Sequence, residues 1–371
     1  MTDSPGVDRP ASDSAAREAR VLDKIAAYRQ RRPRLTETKV TLAHGAGGKA
    51  TAALIDAVFV DAFANDLLTP MADAAVGPVP PGHHIAFTTD GYVVTPRRFP
   101  GASIGHLAVD GTVNDLAVMG ARPAWLTAAF IIEEGLAIDE LREVAADMAE
   151  AAALAGVAIV AGDTKVVPRG AADGLYITTA GVGFVPDDCR LDAASVVAGD
   201  QVIVSGSIGD HGVAVLVARG DLDIHVDIRS DAAPLQDLVA ALLAAAPGTR
   251  WLRDPTRGGL ATVCNELAAA TELGIVLREA DIVIHPGVRA AGELLGIDPL
   301  HVANEGKVVA VVPAEETAAA LAALRAHPLG AEASVVGEMV ADPPRLVVLE
   351  TAFGGTRVVD VLVGDPLPRI C

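Results

Sequence analysis

Cysteine is scarce in this sequence: its 371 residues include three, Cys189, Cys264 and Cys371. An odd, sparse set gives no disulfide framework and points to a reducing compartment. Basic residues are also in deficit, 29 Lys and Arg against 48 Asp and Glu, a formal net charge of −19. That balance argues against a nucleic-acid or anionic-membrane surface, because phosphate binding requires clustered Lys and Arg. A nucleotide remains admissible if a divalent cation neutralises its phosphates. Long apolar runs are missing as well. The amino-terminal "MTDSPGVDRPASDSAAREAR" holds no apolar stretch of the kind a signal peptide needs. The longest nearly apolar run, "AAALAGVAIVAG" at 151–162, is too short to span a bilayer. The expectation is a soluble, cytoplasmic protein with neither nucleic acid nor membrane as partner.

What is present suffices for two cores, since 51% of the residues are hydrophobic and the length suits two domains. Residues 1–38 read as a variable extension, partly disordered, with room for a short helix at 15–31. From Val40 onward strand-like runs alternate with helical ones. "IAFTTDGYVV", "AWLTAAFIIEE", "VAIVAGD" and "LYITTAGVGFV" are apolar or β-branched and bounded by Gly or Pro. "SIGHLAVDGTVNDLAVMG" and "AIDELREVAADMAEAAALAG" have helical apolar spacing, and each ends at Gly. "VAGDQVIVSGSIGD" opens a second unit with strands expected in "GIVLREADIVI", "KVVAVVP", "ASVVGEMV" and "RLVVLET" and a helix in "AEETAAALAALRAH". The pattern predicts an α/β (α+β) protein whose two domains meet near residue 190, without short tandem repeats.

Several polar residues interrupt these runs. "HGAGGK" (44–49) is a glycine-rich loop whose backbone N–H groups could approach phosphate, with a lysine to add charge. Ala43 and Ala50 stand where a P-loop needs Gly and Ser or Thr, so a plain tight turn is equally admissible. Asp90 ("FTTDG") and Asp163 ("VAGDTK") are expected at strand ends, Asp115 follows Asn114, and Asp254 lies in "RDPTRGGL". Carboxylates gathered from separate elements suit Mg²⁺, which takes hard oxygen ligands and bridges to substrate phosphates. Singly, each could as well cap a helix or close a turn. His106, Asp110 and Asn114 are four apart, on one helix face, with His106 and Asp110 expected on its wet side. Lys165 and Glu305 ("VANEGK") lie in expected loops, where such residues usually face solvent. Cys264 is expected in a helix and buried, and Cys189 in a loop, neither with a role. Cys371 ends the chain in "GDPLPRIC".

The segments "LAHGAGGKA", "FTTDGYVVTP", "GTVNDLAVMGA", "FIIEEG", "VAGDTKVV", "SGSIGDHG", "RDPTRGGLATV", "HPGVRAAGELLGIDPLHVANEGK" and terminal "PRIC" occur together and in order. As a set they resemble the HypE family of hydrogenase maturation proteins, within the aminoimidazole ribonucleotide synthetase (PurM-like) superfamily. The resemblance runs from about residue 39 to Cys371. It implies a two-domain PurM-like fold: a nucleotide-binding and dimerising domain with a mixed sheet at 39–190, an α/β domain at 191–355, and a flexible tail at 356–371.

The resemblance also implies an ATP-dependent carbamoyl dehydratase. HypF would place a carbamoyl group on Cys371. The chain would convert it to a thiocyanate, the source of the cyanide ligands of [NiFe]-hydrogenase, delivered through a HypC–HypD complex. ATP and Mg²⁺ follow as cofactors and a homodimer as the assembly. Cys371, Glu305 as base and Lys165 as phosphate steady would carry the chemistry. His44, Gly47, Gly48, Lys49, Asn114 and Thr164 would line the nucleotide, with Asp90, Asp115, Asp163 and Asp254 holding the metal. Residues 364–371 could extend roughly 25 Å at about 3.3 Å per residue, with Pro366 and Pro368 disfavouring helix and Arg369 guiding entry. An adjacent α-carboxylate should disfavour the Cys371 thiolate. Two other readings stand beside this one. A selenophosphate or aminoimidazole ribonucleotide synthetase would not need Cys371, and a non-catalytic thiol carrier would not consume ATP.

Overall fold

The computed structural model describes residues 35–46, 48–69, 71, 74–75, 77–220, 227–362 and 370–371. Gly47, the helix expected at 15–31, and Pro366, Pro368 and Arg369 of the tail lie outside the described residues. Alternating apolar residues build a first sheet from β1 (His83–Tyr92), β4 (Arg122–Glu133), β5 (Ala158–Val167) and β6 (Leu175–Pro186), in the order β1-β6-β4-β5. Only β4 and β5 run parallel. The short β2 (Arg98–Phe99) and β3 (Ala102–Ser103) pair with each other.

Two helices cover one face of this sheet. Helix α2 (Ile104–Val118) starts at Ser103, whose hydroxyl accepts the Gly105 N–H, and α3 (Ile138–Ala155) ends on left-handed Gly156. Ahead of them α1 (Lys49–Leu54) continues through a π-helical turn to Phe63 and packs at the β5 edge. Among the described residues no helix covers the other face of the sheet, where Ile85, Phe87 and Ile131 are exposed.

Of the expected wet side of α2 only His106 is partly exposed. Asp110 is buried, and 13 of the helix's residues are buried. The reason is that α2 lies between the first sheet and the second unit, where its Ala117 and Val118 enter the core built on Leu235, Leu238 and Leu242.

Among the described residues the second sheet has seven strands in the order β13-β12-β9-β11-β7-β10-β8. They are β7 (Gln201–Val204), β8 (Trp251–Arg253), β9 (Gly274–Arg278), β10 (Val309–Val312), β11 (Ser334–Val340), β12 (Val347–Glu350) and β13 (Thr356–Val359). Its central strands are nearly continuous apolar runs because both faces are covered. Helix α6 (Gly259–Thr271) packs on one face, and α5 (Gln236–Ala245) and α8 (Thr317–Ala326) on the other. Helices α4 (Asp210–Arg219) and α7 (Pro286–Leu295) turn toward the first unit, where Val213, Val288 and the tail's Ile370 join its core. Loops of both units therefore face one another around the end of β1.

Candidate active site

Asp90, Asp115 and Asp254 converge where the two units meet. Asp90 lies within β1, not at its end: the strand continues through Gly91 to Tyr92. The Tyr92 hydroxyl donates to Asp90 Oδ2 at 3.2 Å, and Thr88 Oγ1 donates to Asp115 Oδ2 at 2.6 Å. Gly111 makes this possible, since a Cβ there would stand 2.3 Å from the Tyr92 hydroxyl. Asp254 follows β8 in the loop that leads into α6.

Burial, then the charge of Asp115, raises the pKa of Asp90. Burial, then Asp115 and Asp90, pushes Asp254 up to about 7. Mutual repulsion of this kind is what a bound cation relieves, so the residues present fit a divalent metal. They are spaced more openly than the ligands of one tight shell, as suits an ion that keeps water and phosphate oxygens. The tightest ligand set among the described residues lies elsewhere, at His106, Asp147 and Glu150, where Arg98 and Ser103 already engage Asp147.

Glu305, expected toward solvent, is buried. Desolvation, then Asp254 and Asp231, holds its carboxyl well above the usual carboxylate range. Its backbone is gripped from both sides. The Glu305 N–H donates to Asp231 Oδ1 at 3.1 Å, and Asn114 Nδ2 donates to the Glu305 carbonyl at 3.1 Å. Asn114 also donates to the Ala233 carbonyl and accepts the Leu235 N–H. Both its amide protons are thus spent on backbone, and Asn114 fixes the Glu305 segment to α2 rather than offering itself to a nucleotide. Asp231 is ion-paired with Lys307 at 3.0 Å. Burial works against its charge, yet Lys307, His211 and the Glu305 N–H together hold its pKa below the ordinary value.

The chain's end is folded into this site. The Val93 N–H, three residues beyond Asp90, donates to an oxygen of the Cys371 α-carboxylate at 3.1 Å. Arg257 Nη2 stands 3.4 Å from Cys371 Sγ, and Ile370 is buried with its carbonyl on His211. Burial, then the charge of Glu305, pushes the thiol up to about 11. The thiol is therefore held protonated, as expected, but chiefly by desolvation rather than by the neighbouring α-carboxylate.

A second group lies apart. The row Asp90–Thr179–Ala128–Gly162 crosses the whole sheet, so β5 is about 14 Å from β1 at ~4.8 Å per strand. Asp163 is the residue after Gly162, and strand alternation puts it on the opposite sheet face from Asp90. It does not end a strand. Gly162 is inside β5 because a Cβ there would stand 2.8 Å from the Ala128 carbonyl oxygen. Asp163 binds Lys165 Nζ (2.6 Å) and the Thr164 N–H (2.8 Å), and both charged side chains are exposed. Within one protomer neither Asp163 nor Lys165 belongs to the cluster at Asp90.

Asp163, Thr164 and Lys165 instead line a cavity of about 480 Å³ with Gly45, Phe59, Phe63 and Phe130. Gly48 precedes α1 with open space where a Cβ would stand, and Lys49 begins the helix. His44 is turned inward. It is fully buried, its Nδ1 accepts the Thr41 N–H at 3.0 Å, and it shapes the loop rather than lining the cavity.

Arg257, His211, Asn304 and Lys307 sit inside motifs read in the sequence but were given no role there. Asn304 ties the Asp254 loop to the α4 loop, donating to the Pro255 carbonyl and accepting the Gly209 N–H. Ser230 and Asp231, in "DIRSDAAPLQ", carried no signal at all.

Comparison with known proteins matches residues 71–185 to the AIR synthase related protein N-terminal domain and 197–348 to its C-terminal domain. The chain is 54% identical over 340 residues to a carbamoyl dehydratase HypE of Rhodobacter capsulatus, covering 91% of this chain and 99% of that one. Among solved structures it is similar to a hydrogenase maturation protein HypE in complex with ATP (TM-score 0.85, 43% identity, 89% of this chain and 99% of that one). It is also similar to HypE from a HypE–HypF complex (TM-score 0.73, 44% identity, 84% and 100%).

Proposed function

This chain belongs to the HypE family of carbamoyl dehydratases, and from that premise we propose how its residues divide the reaction. The activity is ATP-dependent dehydration of an S-carbamoyl group on the C-terminal cysteine to a thiocyanate, in maturation of [NiFe]-hydrogenase. An amide oxygen is a very poor leaving group, so it is first made a phosphate ester. The carbamoyl oxygen attacks the γ-phosphorus of ATP, ADP departs, and one N–H proton is lost to give an S-bound iminophosphate. Loss of phosphate and of the remaining N–H proton then leaves the C≡N bond. The sum is removal of one water.

Cys371 carries the substrate. Glu305 takes the N–H proton, and its burial beside the docked tail supports that role, general-base help being worth about 10²–10⁴-fold. Arg257, against Sγ, orients the thiocarbamate. Mg²⁺ would be held by Asp90, Asp115 and Asp254 and would supply charge neutralisation for the phosphates. The β5 cavity, lined by Thr164 and Lys165 with Gly48 and Lys49 in the adjoining loop, takes the nucleotide, whose phosphates reach a metal cluster and tail across the proposed dimer, and Asp163 holds Lys165 until phosphate competes for it.

HypF as the carbamoyl donor is supported by the similar HypE found in a HypE–HypF complex. A HypC–HypD acceptor, a homodimer formed through the open face of the first sheet, and a cytoplasmic setting complete the proposal. No helix among the described residues is long and apolar enough to cross a membrane.

The observation that carries this reading is the position of the Cys371 thiol, against Arg257 and under the influence of Glu305. The test is intact-protein mass after incubation with the carbamoyl-transferring partner, carbamoyl phosphate and MgATP, with Cys371→Ala as control. A carbamoyl adduct on the unaltered chain that loses one water only with ATP is expected. An adduct that never loses water would leave a mere carrier.

A further inference from the structure

The tail does more than reach the site; a particular residue receives it. Four groups run in sequence from the loop at 230–232 to the tail. The Ala232 N–H donates to Ser230 Oγ at 3.1 Å, Ser230 Oγ lies 2.9 Å from His211 Nδ1, and His211 Nε2 lies 2.7 Å from the Ile370 carbonyl oxygen. A carbonyl oxygen only accepts, so Nε2 carries the ring proton. In the neutral ring Nδ1 must then accept, and the Ser230 hydroxyl is its donor. The ring is fully buried, with Phe99 edge-on at a centroid distance of 5.5 Å. Ser230 is itself anchored, its N–H donating to the Pro100 carbonyl at 2.7 Å. The next residue, Asp231, accepts the Glu305 N–H. One dipeptide therefore touches both partners of the reaction, the tail through His211 and the base directly.

We propose that His211, oriented by Ser230, is the positioning residue that seats the substrate-bearing tail, and that Ser230–Asp231 sets the register between Cys371 and Glu305. The inference rests on the roles proposed above for Cys371 and Glu305. His211 touches only the backbone of Ile370, one residue short of the reacting group, so it acts through placement. It also distinguishes the two states the tail must visit. A cysteine held here by Ile370, Val93 and Arg257 is only partly accessible, whereas the transferase needs it free. Losing the His211 contact should therefore harm dehydration and leave acceptance of the carbamoyl group intact.

The experiment compares the unaltered chain with His211→Ala, His211→Gln and Ser230→Ala by two readouts. The first is single-turnover dehydration after complete carbamoylation by the transferase. The second, independent of activity, is the alkylation rate of Cys371, followed by mass spectrometry of the C-terminal peptide so that Cys189 and Cys264 do not contribute. His211→Ala is expected to slow dehydration about 10- to 100-fold, the scale of an ångström-sized misplacement, and to speed alkylation. His211→Gln keeps a donor near Nε2 and should recover much of both. Ser230→Ala, which keeps the ring but removes its orienting partner together with the acceptor of the Ala232 N–H, should fall between and serves if His211→Ala does not fold. Dehydration at the unaltered rate with unchanged alkylation in both alanine variants would overturn the proposal. If the unaltered chain never dehydrates, the function above falls, and the alkylation arm still decides whether His211 seats the tail.

Discussion

Asp254 couples the site's protonation to the metal proposed for it. Its pKa is raised from an ordinary 3.8 to about 7, so between those values the folded protein binds a proton that the unfolded chain has released. A raised folded pKa contributes stability fully present below about 4 and lost as pH rises through about 7. The metal-free protein should therefore lose melting temperature across that window. Added Mg²⁺ should restore it, with little effect at pH 5 and a larger one at pH 8, because only deprotonated ligands bind. A thermal-shift series in pH with and without Mg²⁺ checks this, and equal Mg²⁺ stabilisation at both pH values would contradict the carboxylate site. Asp254→Asn should remove most of the Mg²⁺ response and lessen the slope, while buried Asp110, pushed up to about 8, and Glu305 keep a metal-independent share of it. Glu305→Gln makes a separate prediction: carbamoylation retained, dehydration slowed about 10²–10⁴-fold, read by the loss of water in intact mass. Asp90, Asp115 and Asp254 stand out in the sequence as acids in apolar, Gly-rich surroundings, but so does Asp163, which lies apart, and nothing in their spacing shows which converge; Glu305 and Cys371 gain their roles there only from the family resemblance. Asn114 was visible only as a polar residue. Nothing in its spacing says that its amide is taken by the backbone of Ala233, Leu235 and Glu305, a contact made across more than a hundred residues.

At the scale of elements, glycine explains both the successes and the misses. Gly156 reads as a helix stop in the sequence and is one, left-handed after α3. Gly162 looked like the same punctuation but serves close approach, with the Ala128 carbonyl 2.8 Å from where its Cβ would be. Period-two alternation finds a strand, but it cannot tell a glycine that ends one from a glycine that lets two strands meet. Gly162→Ala should therefore push β5 off β4, costing about 1–3 kcal/mol as overpacking does. The damage should appear at the β5 cavity, as weaker ATP binding by calorimetry with the Cys371 alkylation rate unchanged. Equal damage at the two places would mean that the sheet transmits the strain from edge to edge. Strands β8 and β13 were missed in the sequence for another reason. Three or four residues are too few to show a period, and each is defined by its neighbour, β10 for β8 and β12 for β13. Helix α2 was found, and its surroundings were not, because a helix enclosed by two units has no wet face for periodicity to report.

Among the described residues the open face of the first sheet leaves an apolar patch centred on Phe87 and Ile85, bordered by Trp125 and Phe184, which pack on each other. Phe87, Val182 and Trp125 form a row across β1, β6 and β4, with Ile85 beside Phe184 in the next positions. Phe87 is 75% exposed and Ile85 45%. A chain with a net charge of −19 repels its copies at long range, so self-association needs an apolar patch to overcome that repulsion. The proposed homodimer therefore has a signature beyond its mass. Ionic strength screens the repulsion without weakening apolar burial, so dimerisation through this face should tighten as salt is raised from 0.05 to about 0.5 M. A dimer held by ion pairs would loosen instead. Phe87→Lys puts a charge at the centre of the patch and should yield a monomer by light scattering. Because Phe87 lies on the face opposite Asp90 and far from the tail, the monomer should still seat Cys371, with its slow alkylation preserved. If it also loses ATP binding, the second copy is part of the nucleotide site, and the separation of Lys165 from Asp90 within one protomer is explained by the partner. If ATP binding survives, each protomer carries a whole nucleotide site, and the distance between those residues must be closed by movement within the chain.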